Sequence, residues 1–148
     1  MVRMGLMAVA LAAMAGVPAM AQVRDAIYRG TMVCDKLPFT HTKMREAIEV
    51  KVAEGKVEYK NVVRYQDPPE TTTEQGTGAL NGQDISLQGT WDGGNRRYKA
   101  SYSGTFVRRS AKLKGTQIWA IDGKDITRSC AGSIKRPFRI FLPRQKKS

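Results

Sequence analysis

The chain has 148 residues, with 25 Lys and Arg against 13 Asp and Glu, one His and two Cys, for a formal net charge of +12. That length suits one domain. So few His and Cys exclude the usual transition-metal ligand sets, and the charge points toward anionic partners.

The chain opens Met1-Val2-Arg3, runs apolar from Met4 to Val17, and reaches Pro18-Ala19-Met20-Ala21 before Gln22. A positive start, a short apolar stretch and small residues three and one before a cut predict a signal peptide over residues 1–21. The apolar run falls short of the roughly 20 residues needed to span a bilayer. Residues 22–148 are expected to work outside the cytoplasm, in the periplasm or secreted, as a single β domain with a basic tail from about 137 to 148.

Ala26 to Cys34 reads as a first strand, and Asp35 to Thr42 as a loop broken by Pro38. Ile48, Val50 and Val52 alternate with charged or small residues, as do Val57, Tyr59, Val63 and Tyr65. With the Glu54-Gly55-Lys56 turn between them, these runs predict a hairpin with one wet face. On that reading Glu46, Glu49, Glu54 and Glu58 belong to the solvent side. Gln66 to Gln75 has no apolar residue and is expected to be a long exposed loop carrying Glu70 and Glu74. A meander follows. Thr77–Leu80 pairs with Ile85–Trp91 across Asn81-Gly82, and Asp92-Gly93-Gly94-Asn95 turns the chain into Tyr98–Tyr102. A run from Phe106 to Ile121 and a last segment with Ile126, Cys130 and Ile134 close the series, with Asp122-Gly123-Lys124 turning between them.

About eight strands with short turns predict an all-β fold, either a single antiparallel up-and-down barrel or a compact sandwich. Cys34 and Cys130, near the two ends of this domain, are expected to form a disulfide in an oxidising compartment. The glycine-bearing strands Leu87-Gln88-Gly89-Thr90-Trp91 and Leu113-Lys114-Gly115-Thr116-Gln117-Ile118-Trp119 echo each other. A strand glycine lets a ring from a neighbouring strand lie over it. These strands and the late Cys130 resemble small exported bacterial β-barrel domains of unassigned activity, and the avidin and lipocalin type of barrel. The resemblance implies architecture only.

Chemistry leaves little trace. There is no His-x-x-x-His, no Cys-x-x-Cys, no nucleophile elbow and no phosphate loop, and His41 lies in a loop between threonines. No catalytic residue, metal or cofactor is expected. If the barrel has a cavity, Trp91, Trp119, Tyr98 and Tyr102 are the candidate lining residues for a small apolar ligand.

The charge is lopsided. From Gln22 to Asp92 nine Lys and Arg face eleven Asp and Glu; from Gly93 to Ser148 fifteen face only Asp122 and Asp125. Arg96, Arg97, Arg108, Arg109, Lys112, Lys114, Lys135, Arg136, Arg139 and Arg144 are the candidate anion-binding surface. Phe138 and Phe141 are placed to add apolar contact. The expectation is a non-enzymatic exported domain that associates with an anionic lipid or envelope polymer. A small-ligand carrier and an inhibitor of a secreted hydrolase are the alternatives. The extracytoplasmic address argues against nucleic acid.

Overall fold

The computed structural model describes residues 22–40, 42–66 and 69–137. Eight strands run in order: β1 (Ala26–Cys34), β2 (Met44–Ala53), β3 (Lys56–Gln66), β4 (Pro69–Asn81), β5 (Asp84–Asp92), β6 (Arg97–Val107), β7 (Ser110–Ile121) and β8 (Lys124–Lys135). Each pairs antiparallel with the next, and β8 pairs with β1, so the sheet is a closed barrel and not a sandwich. Closure joins the two end strands of the sheet over Arg29–Cys34 and Cys130–Lys135, which leaves no free edge strand among those described.

Alternation sets the two surfaces. Tyr28, Met32, Ile48, Val50, Val52, Val57, Ile85, Leu87, Phe106, Leu113 and Ile134 point inward and are buried. Among the described residues, outward positions mostly carry Lys, Arg, Glu, Ser and Thr, with Ile27, Val107 and Ile118 as the exposed large apolar side chains.

The turns follow their residues. Glu54-Gly55 and Asp122-Gly123 each place both residues at positive φ, the geometry of a two-residue hairpin. Close approach explains the strand glycines. Gly76 of β4 and Gly89 of β5 are cross-strand partners, and a Cβ on either would collide with the Tyr59 ring that lies over them.

The β1–β8 seam is the shortest ladder, from Arg29–Lys135 to Cys34–Cys130. Its last pair is covalent: Cys34 and Cys130 form a disulfide across 96 positions. Such a bond suits an oxidising, exported compartment.

Two expectations for the chain path are corrected. The segment from Gln66 to Gln75 is not a long loop, because β4 begins at Pro69 and pairs with β3 along its length. The stretch from Phe106 to Ile121 is not one run, because Arg108, at φ 58°, turns the chain between β6 and β7.

Candidate functional site

Two features stand apart from an ordinary barrel: a polar cluster inside one end and a cationic surface outside β6–β8.

The polar cluster forms where inward positions carry polar residues. Glu46 opens β2 two residues before Ile48, Asn61 lies between Tyr59 and Val63, Gln117 precedes Trp119 by two, and Arg128 precedes Cys130 by two. All four, with Glu74 of β4, are buried. This overturns the expectation that Glu46 lies on the wet face and Glu74 in an exposed loop; Glu46 has the parity of buried Ile48, and Glu74 that of half-buried Thr72 and Gly76.

Glu46 pairs with Arg128 at 2.9 Å. Its second oxygen accepts from Asn61 Nδ2 and from Gln117 Nε2, the latter at 3.4 Å. Glu74 accepts from the hydroxyls of Tyr59 at 2.5 Å, Tyr98 at 2.6 Å and Tyr102 at 3.2 Å, and from Gln117 Nε2 at 3.3 Å. The two buried carboxylates therefore meet through the Gln117 amide, and the Arg128 guanidinium pairs with Glu46. Burial pushes the Glu46 carboxyl up to about 7; the charge of Glu74 adds to this and Arg128 opposes it. Burial, then the charge of Glu74, also raises the three tyrosines, which remain protonated donors to that carboxylate.

A cap covers this end. The β1–β2 loop buries Leu37 and sets the Phe39 ring edge-on to Trp119 at 5.9 Å. Arg128 donates to the Asp35 carbonyl at 3.5 Å, and the Asp35 amide donates to Ser129 O at 2.9 Å. Arg96, from the β5–β6 turn, lays its guanidinium over Phe39 at 4.3 Å.

The four candidate lining aromatics are all inside. Trp91, Tyr98 and Trp119 pack on one another with centroids 4.6 to 5.6 Å apart. The Tyr98 and Tyr102 hydroxyls are committed to Glu74, which gives this end a polar character that an apolar-ligand reading does not anticipate. A groove of about 710 Å³ includes two of these aromatics, Trp91 and Tyr98, in its lining, together with Asp92, Arg97, Lys99 and Asp125.

The cationic surface follows from cross-strand register. Outward rows across β6, β7 and β8 read Lys99–Ile118–Thr127, Ser101–Thr116–Ser129, Ser103–Lys114–Ala131, Thr105–Lys112–Ser133 and Val107–Ser110–Lys135. These five rows hold four lysines, hydroxyls and a few apolar residues and no carboxylate, whereas the next row toward the capped end, Arg97–Ala120–Asp125, carries one. Among the described residues, the surface ion pairs are Arg29–Glu49, Lys60–Glu49 and Lys43–Asp35, none of them on β6–β8.

The candidate cations divide between the two ends. Arg108, Arg109, Lys112, Lys114, Lys135 and Arg136 lie toward the β6–β7 turn, whereas Arg96 and Arg97 lie at the capped end. Arg128 faces inward and leaves the surface. Arg139 and Arg144, with Phe138 and Phe141, lie outside the described residues, as does His41.

The fold and these features define a class: a closed eight-stranded up-and-down barrel, disulfide-bonded at its seam, with a polar inner end and one cationic flank. No family model, no curated protein and no solved structure matches the chain.

Proposed function

We propose that the protein is an exported, non-enzymatic barrel that attaches to an anionic component of the cell envelope through the outer surface of β6–β8. The observation that carries this reading is the set of outward rows with Lys99, Lys112, Lys114 and Lys135 and no carboxylate among them. A surface of unneutralised cations raises the local concentration of anions and gains from counterion release when it binds a polyanion. The intervening Ser and Thr hydroxyls add neutral donors suited to phosphate or sulfate oxygens.

The predicted signal peptide and the Cys34–Cys130 disulfide support the extracytoplasmic address. Against a carrier of apolar ligands stand the mutual packing of Trp91, Tyr98 and Trp119 and the carboxylate of Glu74 that the Tyr98 and Tyr102 hydroxyls face.

The test is retention of the chain from Gln22, which contains every strand, on an immobilised polyanion and on a neutral matrix of the same chemistry. Strong retention on the anionic matrix alone, released by a few hundred millimolar salt, is expected. Equal retention on both matrices at low salt overturns the reading.

A further inference from the structure

We infer that the attachment is end-on, through the end of the barrel that holds the β6–β7 turn, and that the partner is the phosphate-bearing surface of a lipid bilayer. This rests on the anion-binding reading above and narrows it to one partner and one orientation.

The β6–β7 turn presents an apolar tip beside charge. Val107 is 67% exposed, the most exposed of the large apolar residues among those described. Arg108 follows it, exposed and held at φ 58°, and Lys112 and Lys135 flank the turn on β7 and β8. Ile27, 39% exposed at the start of β1, lies at the same end.

A second observation fixes where the rest of the chain begins. Arg109 Nη2 donates to the carbonyls of Arg136 at 3.3 Å and Pro137 at 2.8 Å, and the Arg136 amide donates to Arg109 O at 2.8 Å. The chain leaving β8 is thus pinned against the β6–β7 turn. The sequence that continues from this point is Phe138-Arg139-Ile140-Phe141-Leu142, then Arg144, Lys146 and Lys147. Folded tip and following sequence share one composition, large apolar groups beside cations. A soluble polyanion gives the apolar groups nothing to bury, whereas a bilayer offers phosphates to the cations and the headgroup–acyl boundary to the side chains.

The other end is less suited. It carries Asp92 and Asp125 at strand ends and Asp122 in the β7–β8 turn, and Arg96 is engaged with Phe39. The acids at the docking end are Asp25 before β1, Glu54 in the β2–β3 turn and Asp84, which opens β5 and accepts from Thr105 Oγ1 of β6 at 2.6 Å. The side of that end formed by β7 and β8, with Lys112 and Lys135, faces the bilayer. Outward Lys, Ser and Thr on those strands keep the contact peripheral.

The experiment is flotation of the chain from Gln22 with vesicles of phosphatidylcholine, and of phosphatidylcholine with one quarter phosphatidylglycerol, beside binding to a soluble sulfated polysaccharide. Three proteins are compared: the unaltered chain, Val107→Glu/Arg108→Asn at the tip, and Lys36→Gln/Lys124→Gln, two exposed lysines of the opposite end outside the proposed surface. Asn tolerates the positive φ of Arg108, so the tip variant should keep the fold, which a circular-dichroism melt checks. The tip variant should lose about tenfold in binding to the anionic vesicles, and the opposite-end variant about twofold or less, at roughly 1 kcal/mol for each cation at an anionic surface. If the opposite-end variant loses as much as the tip variant, the orientation is wrong while anion binding stands. If the unaltered chain binds the polysaccharide but prefers neither vesicle, the bilayer is the wrong partner. Failure to bind either anion removes the underlying reading as well.

Discussion

Arg128 and Glu46 meet inside the barrel at 2.9 Å, with side chains 1% and 0% exposed. An ion pair so fully removed from water gains little net stability, because desolvating both charges offsets most of their attraction. Its effect is structural specification: Arg128 also holds the Gln117 carbonyl at 2.8 Å and the Asp35 carbonyl at 3.5 Å, linking β8 to β7 and to the cap.

Breaking the pair from one side should therefore be severe. Arg128→Met leaves Glu46 beside Glu74 with no cation, and about 3–5 kcal/mol of stability should be lost. The double variant Glu46→Gln/Arg128→Met should recover a large part of that loss. Urea denaturation of the two variants and the parent checks both statements.

The raised Glu46 pKa carries a definite sign. Its ordinary value is 4.5 and in the barrel it is about 7, so between these values the folded state holds more protons than the unfolded state. Stability contributed by this group is complete below about 4.5 and is lost as pH rises through about 7, a change on the order of 3 kcal/mol. Glu46→Gln should flatten that slope in melts taken across the same window. The buried tyrosines act at the alkaline limit. Tyr59, Tyr98 and Tyr102 are all raised above 10, so stability should fall again once pH passes 10 and unfolded tyrosines begin to ionise.

The disulfide ties the shortest ladder of the barrel. Its removal by Cys34→Ala/Cys130→Ala frees a 96-residue separation in the unfolded chain. The loss should be roughly 4–5 kcal/mol in the chain-entropy account. Thiol titration of the denatured, unreduced protein should find no free cysteine.

Gly115 tests close strand approach. A Cβ there would overlap the Ser101 carbonyl and the Tyr102 Cα, both backbone atoms that cannot rotate away. Gly115→Ala should cost about 3 kcal/mol, near the upper end for overpacking. Gly94→Ala meets no atom and faces only its φ of 88°, so it should cost about 1–2 kcal/mol.

The alternation of β2, β3, β5 and β6 was readable because apolar residues mark most second positions. β4 was not, because its inward residues are Thr72, Glu74, Gly76 and Gly78, small or polar where Tyr59 and the neighbouring rings fill the space. The turn at Arg108-Arg109 was hidden for a related reason: no Gly, Asn or Asp announces its positive φ. The polar inner cluster carried a signal that hydropathy overrides. Glu46, Asn61, Gln117 and Arg128 all share the parity of buried neighbours, yet each reads as a solvent residue when taken alone. The uneven charge was legible as a total. Its division between the two ends, and the inward turn of Arg128, required the register.

The central claim is that a particular flank of the barrel binds anions, not the net charge of the chain. The most direct measurement compares two double reversals of equal charge in binding to anionic vesicles at low salt. Lys112→Glu/Lys114→Glu alters exposed residues in the outward rows of β7, and Lys51→Glu/Lys56→Glu alters exposed residues on β2 and β3. Loss of binding in the β7 variant alone, with both melts intact, is the predicted result. Equal losses in the two variants would contradict the claim.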